Sequence, residues 1–135
     1  MNRPFGVILL AVLSAVSGLW GLLKGLALLG LGGALATFVA GAHPVAGAVI
    51  GGLAVVFGVT TLLIGLFALV FAWGAWTLRP WAWTIGVWTH GITLVLGILA
   101  LLRPHSPDRW GSILISAIVL FYLTTPEIKR AFGKG

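Results

Sequence analysis

The sequence predicts an all-α polytopic membrane protein, with four transmembrane helices packed as a bundle in a single domain. Of its 135 residues, 60% are hydrophobic and only 7% are charged, whereas a soluble domain carries about 25% charged residues. Its mean hydropathy is +1.16. Uncharged runs of about 20 residues, the length needed to cross roughly 30 Å of hydrocarbon, alternate with charged turns. A soluble domain of this length has too little interior for so many apolar side chains, so the bilayer is the expected partner.

The charged residues predict how the chain lies in that bilayer. The net charge is +6, but the cations lie at the ends of apolar runs and form no basic stripe, which argues against nucleic-acid binding. The chain has no cysteine, which excludes disulfides and thiolate metal sites. The four predicted spans divide the cations between the two sides of the membrane. One side has five, namely Arg3, Arg79, Lys129, Arg130 and Lys134, and the other has three, namely Lys24, Arg103 and Arg109. The larger group predicts that both termini are cytoplasmic.

Span one is predicted over residues 4–24. Pro4 suits a first helical turn, and no charge follows until Lys24. The apolar run continues past Trp20, which favours a retained span over a cleaved signal peptide. Small residues recur every four positions at Ser17, Gly21 and Gly25, the spacing that lets another helix approach closely.

Residues 25–44 are apolar and rich in glycine, with Gly30, Gly32 and Gly33 expected to end or loosen a helix. The expected structure is an interfacial connection with a short helix over 34–41, closed by Pro44. A re-entrant loop of non-helical backbone is the alternative, which requires shielding by protein.

Span two is predicted over residues 46–78. A single helix over this uncharged run would be about 50 Å long, which exceeds the bilayer. Either it tilts and protrudes, or its first turns, through Gly51 and Gly52, belong to the connection. A seven-residue repeat of small residues, which predicts a packing face, comprises Gly51, Gly58, Gly65 and Ala72.

Span three is predicted over residues 80–102, beginning at Pro80 after the charged Arg79. Span four is predicted over 107–125, with Ser112 and Ser116 as a further small-residue pair. Residues 126–135 are expected to lie at the interface, with Ile128, Ala131 and Phe132 facing lipid. The expected interface anchors are Trp73, Trp76, Arg79, Trp81, Trp83, Lys129 and Arg130.

Three short motifs resemble an uncharacterised family of small prokaryotic four-span membrane proteins. They are the Arg-Pro-Phe-Gly-Val start at residues 3–7, the Arg-Pro-Trp-Ala-Trp motif at 79–83, and the Tyr-Leu-Thr-Thr-Pro-Glu-Ile-Lys-Arg-Ala-Phe-Gly tail at 122–133. The resemblance extends over the whole chain and implies fold and topology only. It implies no activity and no catalytic residue, and His90 is not part of the pattern. We expect the protein to be a multi-pass protein of a prokaryotic plasma membrane.

His90 is the one ionisable side chain expected near the middle of a span, and a group at that depth suggests a function. It is a candidate axial ligand of a haem or chlorophyll-type pigment, since Gly86, one turn earlier, would leave space for a flat macrocycle. Trp83 and Trp88 would border the ring. The plainer interpretation, which we favour, is a neutral histidine bonded to a hydroxyl such as that of Ser14 or Thr60.

Other chemistry finds little support in the sequence. His43, His105 and Asp108 are weak candidates for a metal site, because they lie in different loops without a recognised ligand spacing. Asp108 and Glu127 are the only carboxylates and are predicted on opposite sides of the membrane, so no acid and base pair forms. The serines lack a histidine and an acid within reach. We therefore expect no enzymatic activity.

The leading hypothesis is a structural or accessory subunit that packs through its small residues in a homo-oligomer or a larger membrane complex. A tetrapyrrole-binding subunit that uses His90 is the alternative. A passive pathway for small solutes or lipids, formed by an oligomer, is a further one.

Overall fold

The structure is a computed structural model that describes residues 4–102 and 109–134, apart from the side chains of Arg109 and Ser112. Every regular element in these residues is a helix, as predicted. They are α1 (Phe5–Ala42), α2 (Pro44–Trp76), α3 (Pro80–Leu101), α4 (Arg109–Leu123) and α5 (Pro126–Ala131).

Three helices, α1, α2 and α3, are each long and apolar enough to cross a membrane. Helix α4 is also apolar, and the 15 residues of it that the structure describes extend about 22 Å at 1.5 Å per residue. By length and composition, therefore, the chain is an all-helical membrane protein. The contacts divide it into two compact units: Val12–Ala72, and a second unit made of the first turns of α1 with everything from Trp73 onward.

In the first unit the structure differs from the predicted connection over residues 25–44, because α1 continues as a helix to Ala42. The glycines of this segment do not end the helix, because some of them, including Gly25 and Gly32, lie against α2. A side chain at Gly25 would meet the Leu62 backbone nitrogen at 2.9 Å, and one at Gly32 would meet the Ala54 side chain. Close helix packing thus outweighs the low helix propensity of glycine. A re-entrant loop of non-helical backbone is absent here for the same reason.

Helices α1 and α2 form a tight hairpin with only His43 between them. The amide of His43 donates to the Val39 carbonyl oxygen at 2.8 Å, and that of Gly47 donates to the His43 carbonyl oxygen at 3.0 Å. Because α2 begins at Pro44, Gly51 and Gly52 are helical and do not belong to a connection. Of the two alternatives for span two, the long helix is the one observed.

In the second unit, α3 packs along α4, where a side chain at Gly97 would meet Ile113 at 2.6 Å. The first turn of α1 joins this unit, since Gly6 lies directly under the Tyr122 ring of α4. Apart from glycines, the buried residues in the described part of this unit are Val7, Ala11, Ala75, Ala82, Ser116, Leu123, Ile128 and Phe132.

The tail after α4 is docked onto this second unit. Ile128 is 2% exposed and Phe132 1% exposed, so both side chains are buried in protein. The prediction that they face lipid is wrong, because the apolar face of the tail packs on the chain's own helices. Burying two large apolar side chains stabilises the docked position.

Between α2 and α3, Leu78 takes a positive φ of 53°. The amide of Arg79 donates to the Gly74 carbonyl oxygen at 2.9 Å and that of Leu78 donates to the Ala75 carbonyl oxygen at 3.1 Å. This is the Schellman arrangement that commonly ends a helix, here with leucine at the left-handed position where glycine is usual. Pro80 then starts α3 immediately.

Candidate functional site

Direct backbone contact between α1 and α2 is the most constrained feature of the hairpin. A side chain at Gly65 would lie 2.8 Å from the Gly18 carbonyl oxygen, and one at Gly21 would lie 3.0 Å from the Gly65 Cα. Only glycine leaves room for backbones at this separation. We call the set Gly18, Gly21, Gly25, Gly58 and Gly65 the glycine seam.

Four of the residues predicted to mediate packing, Gly21, Gly25, Gly58 and Gly65, lie in this seam. Ser17 does not, because its side chain is exposed and the neighbouring Gly18 occupies the contact. Ser17 and Gly18 are four and three residues before Gly21, and both positions lie on the same helix face as Gly21. The four-residue spacing alone therefore does not show which of the two makes the contact.

Toward the hairpin turn, α1 and α2 remain close. A side chain at Gly51 would meet the Ala36 Cβ at 3.3 Å, and one at Gly47 would meet the Ala36 carbonyl oxygen at 2.7 Å. The seven-residue repeat predicts Gly51 as a packing residue. It does not predict the contact at Gly47, because the sequence favours a connection over residues 25–44. In the other unit, Ser116 is buried on α4, whereas the side chain of Ser112 is outside the described part.

A second strip of small residues runs along α1 away from α2. Side chains built at Gly30, Gly33 and Gly41 would meet nothing within 4 Å, and Thr37, which is exposed, lies among them. At 100° per residue, this strip is centred about a third of a turn from the glycine seam. We call Gly30, Gly33, Thr37 and Gly41 the open strip.

The structure places His90 and Gly86 on α3, one turn apart. His90 is partly exposed, but Gly86 is buried. A buried glycine has its face covered by protein, so Gly86 does not offer the open surface that a macrocycle would need. Trp88, predicted to border the ring, is 67% exposed. Ser14 and Thr60, the predicted partners of His90, belong to the other unit, and that pairing stays a prediction.

A shallow apolar groove of about 490 Å³ runs beside this part of α3. Its lining residues are Val87, Trp88, Gly91, Ile92, Val95, Leu96 and Leu120. No charged side chain, hydroxyl or imidazole is among them, so the groove suits a hydrocarbon chain and not a hydrated solute.

Of the three predicted metal ligands, only His43 is among the residues that the structure describes. His43 is exposed at the turn between α1 and α2, while His105 and Asp108 lie outside the described ranges. Within residues 4–102 and 109–134, no group of three or more histidine, cysteine or acidic residues could hold a metal ion.

The predicted interface anchors include several cation and tryptophan pairs. The Arg79 guanidinium carbon lies 5.8 Å from the Trp73 ring centroid. Trp83 is close to two cations, with the Lys129 Nζ at 5.9 Å and the Lys134 Nζ at 6.0 Å from its ring centroid. These separations are in the range of cation–π attraction.

Trp81 and Trp83 are also packed against the protein itself. The Trp83 indole N–H donates to the Leu123 carbonyl oxygen at 2.8 Å, and the Trp81 ring covers Gly74. Trp73 and Trp76 are more exposed, at 57% and 44%. Of the four tryptophans expected at the interface, two therefore also tie α3 to its neighbours.

Together, the fold and the seam define an all-helical membrane protein built on direct helix packing. Comparisons with models of known protein families, with curated proteins and with solved structures gave no match. The resemblance described from the three sequence motifs therefore stays a prediction, and function is argued from the chain itself.

Proposed function

We propose that this protein is a structural or accessory subunit of the prokaryotic plasma membrane, which associates through helix packing with copies of itself or with other membrane proteins. The observation that carries the proposal is the open strip on α1. The hairpin uses one face of small residues for its own packing, and a second such face is left without a neighbour in the chain's described part.

The physical reason is specific to lipid. Hydrocarbon tails are as apolar as leucine, so helices in a bilayer associate through van der Waals packing at faces that allow close approach, and glycine favours such faces. Around the open strip, α1 presents large side chains, including Leu31 at 74% and Phe38 at 82% exposed. A helix face that carries glycine is one that a second helix can approach closely.

The proposed topology has four spans with both termini on the cytoplasmic side. Contacts in the second unit support it: Gly6, near the start of α1, lies against Tyr122, near the end of α4, and Pro80, at the start of α3, lies near Gly133. The same end carries Arg79, Lys129, Arg130 and Lys134, which agrees with the excess of cations expected on the cytoplasmic side.

The test is self-association of the purified protein in a mild, density-matched detergent, measured by sedimentation equilibrium over a range of protein-to-detergent ratios. We expect the wild type to form a dimer or a larger species. The double variant Gly33→Leu with Gly41→Leu fills the open strip and should be monomeric, while its helical circular dichroism is unchanged.

Gly111→Leu is the matched control, because a side chain at Gly111 also meets nothing within 4 Å but lies on α4. It should associate like the wild type. A wild type that stays monomeric, and that brings down no other membrane protein when isolated from its native membrane, would contradict the proposal. So would association that survives filling of the open strip.

A further inference from the structure

The last turn of the described chain holds two lysines beside one aromatic ring. Gly133 has a φ of +69°, which reverses the chain after α5. The Lys134 amide donates to the Lys129 carbonyl oxygen at 2.8 Å, and the Gly133 amide donates to the Arg130 carbonyl oxygen at 3.0 Å. This Schellman turn needs the left-handed backbone that glycine adopts readily.

The turn places both ammonium groups about 6 Å from the centroid of the Trp83 ring. Because both ammonium groups are within about 6 Å of the same ring, an anion bound beside that ring is attracted by both of them. The Trp83 ring attracts each of them but carries no net charge.

The support beneath the lysines is fixed by packing. Ile128 and Phe132, on either side of Lys129 and Arg130, are buried, and Trp83 is held by its hydrogen bond to the Leu123 carbonyl oxygen. The two cations thus lie on an ordered platform and not on a free tail. The backbone that carries the lysines is therefore already ordered before an anion binds, and only their side chains remain to be immobilised.

The charge balance at this end is strongly positive. Arg130 is next to Lys129 in sequence. Arg79 precedes Pro80, whose ring would lie 4.0 Å from a Cβ built at Gly133. Glu127 is the only carboxylate side chain in the described part of this unit. A net excess of positive charge next to membrane-spanning helices attracts anionic lipid.

We propose that Lys129, Lys134 and the Trp83 ring form a binding site for the phosphate group of an anionic phospholipid. The ammonium groups pair with the phosphate oxygens, and the indole forms the apolar floor beside the glycerol and the first acyl carbons. Tryptophan occupies this depth in many membrane proteins. The site goes beyond the proposed function and does not depend on self-association.

The experiment is native mass spectrometry of the full chain in nonionic detergent, titrated separately with phosphatidylglycerol and with phosphatidylcholine. We expect phosphatidylglycerol to bind at least tenfold more tightly. Lys134→Gln should weaken phosphatidylglycerol binding about fivefold, the contribution expected of one lysine near an anionic surface. Phosphatidylcholine binding should be unchanged.

Lys24→Gln is the matched control. Lys24 also stacks on a tryptophan, at 5.6 Å from the Trp20 ring centroid, and the variant removes the same single charge from the other unit. It should bind phosphatidylglycerol like the wild type. An equal loss in both variants would show that net charge alone governs binding, and would overturn the site.

Gly133→Ala tests the geometry without changing any charge. Alanine is strained at this φ by about 1–2 kcal/mol, which shifts the turn toward conformations in which Lys134 leaves Trp83. Phosphatidylglycerol affinity should therefore fall, by up to about fivefold if the lysine is lost from the site. Wild-type affinity in this variant would contradict the proposal. Gly133→Ala changes no lysine, so it tests the phospholipid site even if one of the lysine variants does not fold.

A final arm separates the two sources of phosphate. We expect phosphatidylglycerol to stay bound in about 10 mM inorganic phosphate. This concentration supplies a competing anion but keeps the ionic strength low enough that the lysine charges are not strongly screened. Displacement by inorganic phosphate would mean that the site takes the free anion, which overturns the lipid assignment. Loss of self-association in the open-strip variant leaves all these expectations unchanged, so the two proposals fail separately.

Discussion

Replacing Gly65 with alanine adds one methyl group where the backbones of α1 and α2 touch. The new Cβ would lie 2.8 Å from the Gly18 carbonyl oxygen and 2.8 Å from the Leu22 amide nitrogen. Both atoms belong to the backbone, so neither can rotate away as the end of a side chain would. The two helices therefore have to separate locally.

The size of the effect follows from two opposing contributions. An extra methyl group forced into a filled contact costs about 1–3 kcal/mol. Alanine also has a higher helix propensity than glycine, by about 1 kcal/mol. Gly52→Ala on the same helix gains only the second contribution, because a side chain at Gly52 meets nothing within 4 Å. The difference between the two variants isolates the cost of opening the seam, about 1–3 kcal/mol.

The assay is unfolding of the protein in mixed micelles of mild detergent and sodium dodecyl sulfate, followed by circular dichroism and tryptophan fluorescence. Each variant is titrated at the same total detergent concentration, and its free energy of unfolding is compared with that of the wild type. Gly52→Ala should be more stable than the wild type, and Gly65→Ala should be less stable than Gly52→Ala.

Equal stability of the two alanine variants would refute the reasoning. It would mean that α1 and α2 are not in backbone contact at Gly65, or that the hairpin widens without cost. Gly21→Ala provides a check from the opposite helix, because its Cβ would lie 3.0 Å from the Gly65 Cα. It should lose stability for the same reason.

Three further substitutions have expected results. Trp83→Phe removes the N–H that donates to the Leu123 carbonyl oxygen at 2.8 Å and should lower the free energy of unfolding by about 1 kcal/mol, measured in the same titration. Phe132→Ala removes a ring that is 1% exposed; it should cost about 3–5 kcal/mol and make the tail sensitive to limited proteolysis. Leu78→Gly relieves the left-handed backbone at φ 53° and should stabilise the protein by about 1 kcal/mol, whereas Leu78→Ala should not.

The helical class and most helix ends could be predicted because charge and proline mark them. Arg79 and Pro80 interrupt a long uncharged stretch, and α3 begins at Pro80 and ends at Leu101, one residue short of the predicted 102. At this position, local chemistry decides the structure, since proline favours the first turn of a helix.

Residues 25–42 could not be predicted as helix from local propensity, because their glycines are unfavourable in an isolated helix by about 1 kcal/mol each. What decides their conformation is contact with α2, for example of Gly25 with Leu62, which is 37 residues later. The seven-residue repeat on α2 and the small residues Gly21 and Gly25 on α1 predicted part of this packing. Of the glycines expected to end the helix, Gly32 lies against Ala54, whereas side chains at Gly30 and Gly33 would meet nothing within 4 Å.

The tail posed the opposite difficulty. An apolar face at Ile128 and Phe132 fits a lipid surface as well as a protein surface, and sequence periodicity does not distinguish the two. The basic cluster could be found in part, since Lys129 and Arg130 were expected at the interface. Lys134 joins Trp83 only through the reversal at Gly133, which a glycine near a helix end signals.

The length of α2 has a consequence for the membrane around it. Its 33 residues carry no charge and extend about 50 Å, against hydrocarbon about 30 Å thick. Tilting by as much as about 40° leaves close to 40 Å along the membrane normal, so hydrophobic mismatch remains. Annular lipids must stretch to cover the excess. Such a helix favours thicker bilayers, and raising acyl-chain length from 16 to about 22 carbons should stabilise the hairpin in reconstituted vesicles.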